Sequence, residues 1–502
     1  MLNRSSNKSA KIKLMLLSDV LLLNYKRCQR RAFLNIRGDR AFKDPPNDFL
    51  LKLRRESQKH AREVLDRFYP DYCQPIVPKF DSKSNTLVAK AKETKNLMAR
   101  GENHIHQAVL LSRFGNIPAS GTVSLLVKQP GKSNFGDWEY LLVNIQLGRR
   151  PKPEYKLLAA FYAQLLADTQ GVMPSESQII LRRHDTYRVN LDYWLPQMHD
   201  IVIECIQLLS QSSEPEVFIS RQRCSLCSWY NYCYDRAKSL EHLSLVPGVT
   251  PKRYQHLISL GLNSLESLAD SNSLSLGEAI GLDIASQLKQ QAISLLENRP
   301  LLKLNNGDGD RQIIPTAAVE LYFDIEAEPE RNLDYLLGVL LVDRQTNQQQ
   351  FYYFLAETPE EEQIIWQQFL NLVQFHSHAP IFHFSAYEVD TILRLARLYD
   401  TPPRETKLIL SRCIDLHREM TASVTLPVES YSLKSVANWL GFQWRDRGVS
   451  GEQSVCWYDR WLHTGDRSLL DSILRYNEDD CRATYHLKDW LANFLDRSAI
   501  AQ

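Results

Sequence analysis

The feature that most constrains this chain is the order of segments in its last third: three strands, a helix, another strand, then helices. Ala317 to Ile325 is a dense apolar run, and Tyr335 to Val342 and Gln350 to Leu355 follow at hairpin-like spacing. Pro359 to Val373 has helical periodicity and Pro380 to Phe384 reads as a fourth strand. The remainder reads as helical, ending in Leu469 to Phe494. Such an order predicts an α/β layer over 315–496.

At 502 residues the chain exceeds one ordinary core, so two or three domains are expected. Residues 1–240 mix helical patterns, Phe49 to Phe68 and Glu154 to Ala167, with strand patterns, Gly121 to Lys128 and Trp138 to Gln146. Residues 241–300 read as all helical, and the polar stretch Leu304 to Pro315 reads as a linker, so that a helical region over 241–303 separates the two ends. Hydrophobic residues at 44% and charged residues at 24% are ordinary for a soluble protein. The best apolar candidate for a membrane or a leader, Leu14 to Leu23, is short and broken by Ser18 and Asp19. A cytoplasmic protein without a membrane partner is expected.

The net charge of +1 conceals an uneven distribution: residues 1–62 carry 16 Lys/Arg against 5 Asp/Glu, with Lys26, Arg27, Arg30 and Arg31 clustered. Such an end can neutralise phosphates, although charge alone favours a solvated basic face. Nine cysteines, an odd number, make a disulfide framework a poor expectation. Cys224, Cys227 and Cys233 form C-x2-C-x5-C, with Cys28 far upstream. Thiolates this close suit a soft metal, and zinc and iron–sulfur both satisfy that chemistry. Cys73, Cys205, Cys413, Cys456 and Cys481 are isolated and read as small buried hydrophobes.

Carboxylates in the last third form a second constellation. Asp324 and Glu326 are two apart on a strand, so both project from one face. In Tyr476-Asn477-Glu478-Asp479-Asp480, read as opening a helix, Tyr476 and Asp480 are four apart and stack on one side. A phenol and a carboxylate there can orient a water and bind a metal. Between these motifs, Glu388 and Asp390 lie just past the fourth strand, where α/β sheets present their sites.

This order resembles the RNase H-like DEDD exonucleases in their tyrosine form. The resemblance implies that Asp324, Glu326, Glu388 and Asp480 bind two Mg2+ or Mn2+ ions. Tyr476 would position water for attack on the terminal 3′ phosphodiester. Glu388 stands where that family has Asp, with Asp390 as the fallback and His383 as a possible substrate contact.

The cysteine pattern, together with Tyr25 to Arg31, the strand pair at 121–146 and the helix at 154–167, resembles the iron–sulfur-stapled nucleases of the PD-(D/E)XK superfamily. It implies a restriction-endonuclease-like domain over 1–240. A 4Fe–4S cluster on Cys28, Cys224, Cys227 and Cys233 would clip its ends together, zinc being the alternative. That superfamily needs an acid where this chain has Ser124, and (D/E)-x-K where it has Asn144 and Gln146. Amides and a hydroxyl are poor ligands for a hard cation, so this domain is expected to bind nucleic acid without cutting it. Leu245 to Thr250, followed by Arg253 to Leu260, resembles a helix–hairpin–helix, with a second, weaker one at Ile280-Gly281-Leu282. The whole arrangement resembles the two-domain RecB-like nuclease family. The expected partner is nucleic acid, DNA ahead of RNA, and the competing reading is a non-catalytic, cluster-bearing or zinc-bearing nucleic-acid scaffold.

Overall fold

The computed structural model describes residues 16–78, 82–303, 314–446 and 448–500; the expected linker Leu304 to Pro315 lies almost wholly outside them. The chain divides into two compact units, Met1–Val217 with Arg221–Cys233, and Phe218–Ser220 with Tyr234–Gln502.

In the first unit the described strands form one sheet: β1 (Leu17–Ser18), β2 (His104–Phe114), β3 (Ile117–Ser133), β4 (Gly136–Ile145), β5 (Ser177–Ile180) and β6 (Thr186–Arg188). β3 pairs antiparallel with β2 and β4, and parallel with β1. β5 runs parallel to β4, a step that needs a crossover. The helix Pro153–Gln170 supplies it, with a proline in its first turn and Gly171 ending it at φ 80°. Leu157, Phe161 and Leu165 of this helix pack with Tyr140 and Leu142 from one face of β4. Leu141, Val143 and Ile145 face the other way, onto Val64 and Leu65 of the helix Asp48–Phe68. Both faces are thus covered, which is why β4 reads as a continuous apolar run. The reading from sequence passed over β2, whose apolar residues alternate with His104, His106 and Ser112, and the short β5 and β6.

In the second unit a five-stranded sheet has the order β10-β9-β8-β11-β12: β8 (Val319–Glu328), β9 (Leu333–Asp343), β10 (Gln348–Leu355), β11 (Ile381–His383) and β12 (Cys413–Asp415). β8, β9 and β10 form an antiparallel meander, while β11 is parallel to β8 and β12. The helix Glu362–Phe375 covers one face, with Phe369 against Phe323. The helix Arg467–Ile500 covers the other with Cys481, Leu487 and Leu491.

Two expectations need correction. The segment after Phe384 is not wholly helical, because β12 and β13 (Val424–Thr425) are strands, too short to show a period. Nor does Tyr476 open a helix; it lies well inside the 34-residue helix that begins at Arg467.

Residues 241–303 cluster with the α/β sheet in this same unit. β7 (Leu301–Leu302) pairs with β13. The Gln291 amide donates to the Leu426 carbonyl at 2.7 Å and accepts from the Tyr431 hydroxyl at 2.8 Å. Among the described residues no helix is long and apolar enough to cross a membrane.

Candidate active site

The central strand and the long helix bring the C-terminal carboxylates together. Glu320 and Asp324 are four residues apart on β8, about 13 Å along a strand. Lys488 and Asp480 are eight apart on the helix, about 12 Å along its axis. The two spans match, so the helix runs antiparallel along the strand with two meeting points. At one, Lys488 Nζ pairs with the fully buried Glu320 carboxylate at 2.7 Å, and Tyr322 donates its hydroxyl to Glu320 at 2.7 Å. At the other, one carboxylate oxygen from each of Asp324, Glu326 and Asp480 lies within 4.8 Å of the other two.

Three carboxylates this close resist ionising together. Burial raises Glu326 to about 8, with Asp480 adding to the effect. Burial also raises Asp480 to about 7, partly offset by hydrogen bonds from Trp444 and Tyr476 and by the charge of Lys434. Asp324 is held well above the ordinary range by burial, then by Asp480, Glu326 and Glu388. Oxygen donors crowded in this way fit a hard divalent cation, whose charge would replace the protons. The residues present therefore fit the metals implied by the resemblance.

Each ligand candidate is held by a partner. Asn477 Nδ2 donates to Asp324 Oδ2 at 2.7 Å, and Trp444 Nε1 donates to Asp480 Oδ1 at 2.7 Å. Ser454 bonds Glu326, and its hydroxyl also pairs with Tyr335 at 2.5 Å. Arg445 fixes the segment carrying Trp444, donating to Asp479 from its backbone N–H and from Nε, both at 2.8 Å, and to Glu478 at 2.8 Å. Of the three consecutive acids 478–480, only Asp480 faces the cluster. Tyr476 bonds Asp480. Burial, then Asp480, Glu326 and Asp324, drives its phenol far above the ordinary value, so it stays protonated and able to donate.

Glu388 stands on the helix Tyr387–Leu398, buried, 3.1 Å from the Ser385 hydroxyl and 3.5 Å from His383 Nδ1. Its charge reaches Asp324, whereas Asp390 is exposed. Ser385 adopts φ 129°, a left-handed backbone that places its side chain on Glu388. Asn477, Trp444, Ser454 and Ser385 escaped the sequence reading. The one available signal was that Asn477 lies within the Tyr476-to-Asp480 motif.

In the first unit, Asn144 is buried beyond Val143, the partner of Leu125, and its Nδ2 has no hydrogen-bond partner. The Cys227 N–H donates to the Cys224 carbonyl at 2.9 Å, closing the C-x2-C turn. Burial raises the thiols of Cys227 and Cys233, the latter to about 11, and Cys28 is within electrostatic reach of both. Among the described residues no three of these sulfurs gather within 4.8 Å. In the helical region Gly248 and Gly281 have φ 89° and 92°, turning the chain ahead of the helices Pro251–Ser259 and Leu282–Glu297. Arg253 donates to the Gly248 carbonyl at 2.7 Å.

With this geometry in view, residues 321–492 match a family described as RNase_H superfamily, and this part of the chain is an RNase H-like domain. No curated protein matches the chain. A solved structure from Eubacterium rectale, whose name proposes an exonuclease, shares 13% identity at a TM-score of 0.27. It covers 46% of this chain and 93% of its own. The structure of SSO0001 shares 12% identity at a TM-score of 0.19, covering 36% and 96%. Neither superposes closely enough to bear on function.

Proposed function

We propose that the chain is a metal-dependent nuclease that removes nucleotides from 3′ ends at the Asp324–Glu326–Asp480 cluster. The observation that carries this reading is the convergence of three carboxylates, from β8 and the long helix, beside a protonated Tyr476. Asp324, Glu326 and Asp480 would hold the divalent ions, with Glu388 completing the set from the helix Tyr387–Leu398. Bound cations would supply charge stabilisation to the attacking and leaving oxygens. The chain's own part is to orient: Trp444, Asn477 and Ser454 fix the carboxylates, and the Tyr476 hydroxyl positions a water.

Residues 1–240 serve in this reading as a PD-(D/E)XK-like platform that holds nucleic acid without cutting it, since Ser124, Asn144 and Gln146 supply no carboxylate. A 4Fe–4S cluster on Cys28, Cys224, Cys227 and Cys233 would staple that platform. The Gly248 and Gly281 turns would offer backbone N–H groups to phosphates.

The test is digestion of 3′-labelled single-stranded DNA and RNA with Mn2+. Release of labelled mononucleotides by the parent and none by Asp324→Asn supports the reading. Equal release by both, or none from the parent with any divalent ion, defeats it.

A further inference from the structure

We propose that His60, Glu63 and His184 form a second metal site, of the two-imidazole, one-carboxylate kind that takes Zn2+, in the N-terminal unit. His60 and Glu63 are three apart on the helix Asp48–Phe68 and so project from one side of it. His184 lies in the turn between β5 and β6, at φ 64°. That turn is tied to the end of β4 by two backbone bonds: Gln146 N–H to the Ile180 carbonyl at 2.9 Å, and Arg182 N–H to the Gly148 carbonyl at 3.3 Å. The turn brings the two imidazoles together, with ring centroids 5.6 Å apart and planes 11° from parallel. One ligand atom of each of the three residues lies within 4.8 Å of the others.

Two orphaned atoms point to a ligand. Nε2 of His60 and Nε2 of His184 are both buried, and neither has a hydrogen-bond partner. Buried ring nitrogens ordinarily find one. His60 as a whole is only 5% exposed, so water does not substitute freely. Packing explains why the rings touch, since Phe68 also meets His184 edge-on, but it does not explain two buried ring nitrogens without partners beside a carboxylate. A cation satisfies all three at once.

Two neutral nitrogens and one carboxylate are the donors of a borderline metal rather than of Mg2+. Zinc bonds of about 2.0–2.2 Å require ligand atoms about 3.4 Å apart, so a modest turn of the rings closes the site. Three protein ligands leave a fourth position for water or an anion, and Arg182 is within electrostatic reach of His60. The metal would clip the helix Asp48–Phe68 to the β5–β6 turn. It uses none of Ser124, Asn144 or Gln146 and is independent of the C-terminal carboxylates.

The full-length chain carrying Asp324→Asn and Asp480→Asn, stripped of metal, is titrated with Co2+ as a probe for Zn2+. The expected result is a visible absorption band of tetrahedral nitrogen–oxygen character, abolished by Zn2+. Near-ultraviolet thiolate bands report any metal held by the cysteines instead. His184→Gln and Glu63→Gln, each removing a ligand, should weaken binding by more than the about 10- to 100-fold that loss of a merely orienting group costs, while leaving the circular dichroism unchanged, Glu63 being exposed and its replacement safe for folding. A band and Zn2+ affinity that both variants retain at the parent's level would overturn the proposal, as would Co2+ binding with thiolate character only.

Discussion

Gly338 lies directly across the β8–β9 ladder from Asp324, and the space left by its missing side chain is filled by Asn477. A Cβ at this position would stand 1.7 Å from Asn477 Oδ1. Asn477 is fully buried and cannot withdraw without surrendering its bond to Asp324. Gly338→Ala should therefore destabilise the protein by about 1–3 kcal/mol, the usual cost of overpacking, and weaken Mn2+ binding. Adding Asn477→Ala removes the clash, so the double variant should be more stable than Gly338→Ala alone. Thermal unfolding and Mn2+ titration of the two variants measure both effects.

Asp324 and Asp480 repel each other in the metal-free protein, which gives their removal opposite effects on function and stability. Asp324→Asn and Asp480→Asn should each lower the rate of nucleotide release on the order of 10²–10³-fold or more. In chelator, the same variants should unfold a few degrees higher than the parent, because a carboxylate has left a crowded, buried cluster. A variant that lost activity and also lost stability without metal would show that the residue is structural.

The cluster also sets a pH dependence with a definite sign. Glu326 is raised from 4.5 to about 8 and Asp480 from 3.8 to about 7, so without metal the folded chain retains protons that the unfolded chain has already released. Their stabilising contribution is complete below about pH 4 and is lost as pH rises through about 7 to 8. Metal binding needs the deprotonated forms and so strengthens over that same rise. The difference in unfolding temperature between Mn2+ and chelator should be small near about pH 6 and largest near about pH 9. A difference that shrinks with rising pH would contradict the assignment of these groups as ligands.

Tyr476 touches Asp480 but brings no negative charge to the cluster. Tyr476→Phe keeps the ring and removes the donor, so nucleotide release should fall on the order of 10²-fold while Mn2+ affinity changes little. Parallel kinetics and metal titration separate this from a ligand role, in which affinity would fall as well.

Much of this site could be read from the chain because its ligands obey local periods. Asp324 and Glu326 share a face because strands alternate, and Tyr476 and Asp480 because helices repeat every four residues or so. Glu388 and Asp390 could not be separated in that way; only packing buries one and exposes the other. Gly338 and Asn477 owe their relation to the register of β9 on β8 and to the docking of the long helix, neither of which leaves a local pattern. Trp444 lies in an aperiodic segment, and its place depends on Arg445 reaching two acids in a later helix. The contact of Gln291 with Leu426 is equally silent in sequence, so residues 241–303 looked like a separate helical piece.

Trp444 offers the sharpest check on how the carboxylates are held. Its indole N–H reaches Asp480 Oδ1 at 2.7 Å, while Lys434 stacks over its ring at 5.7 Å. The indole thus both orients the ligand and holds a cation near it. Trp444→Phe retains a ring for Lys434 but no donor, leaving Tyr476 as the remaining hydrogen-bond donor that orients Asp480. Mn2+ affinity should drop about 10- to 100-fold, the usual cost of losing a group that orients a metal ligand. At saturating Mn2+ the rate should return to within a few-fold of the parent, because no ligand has been removed. Isothermal titration with Mn2+, paired with digestion at low and high Mn2+, decides the matter: a rate defect that high Mn2+ does not relieve would mean that Trp444 touches the substrate rather than positioning Asp480.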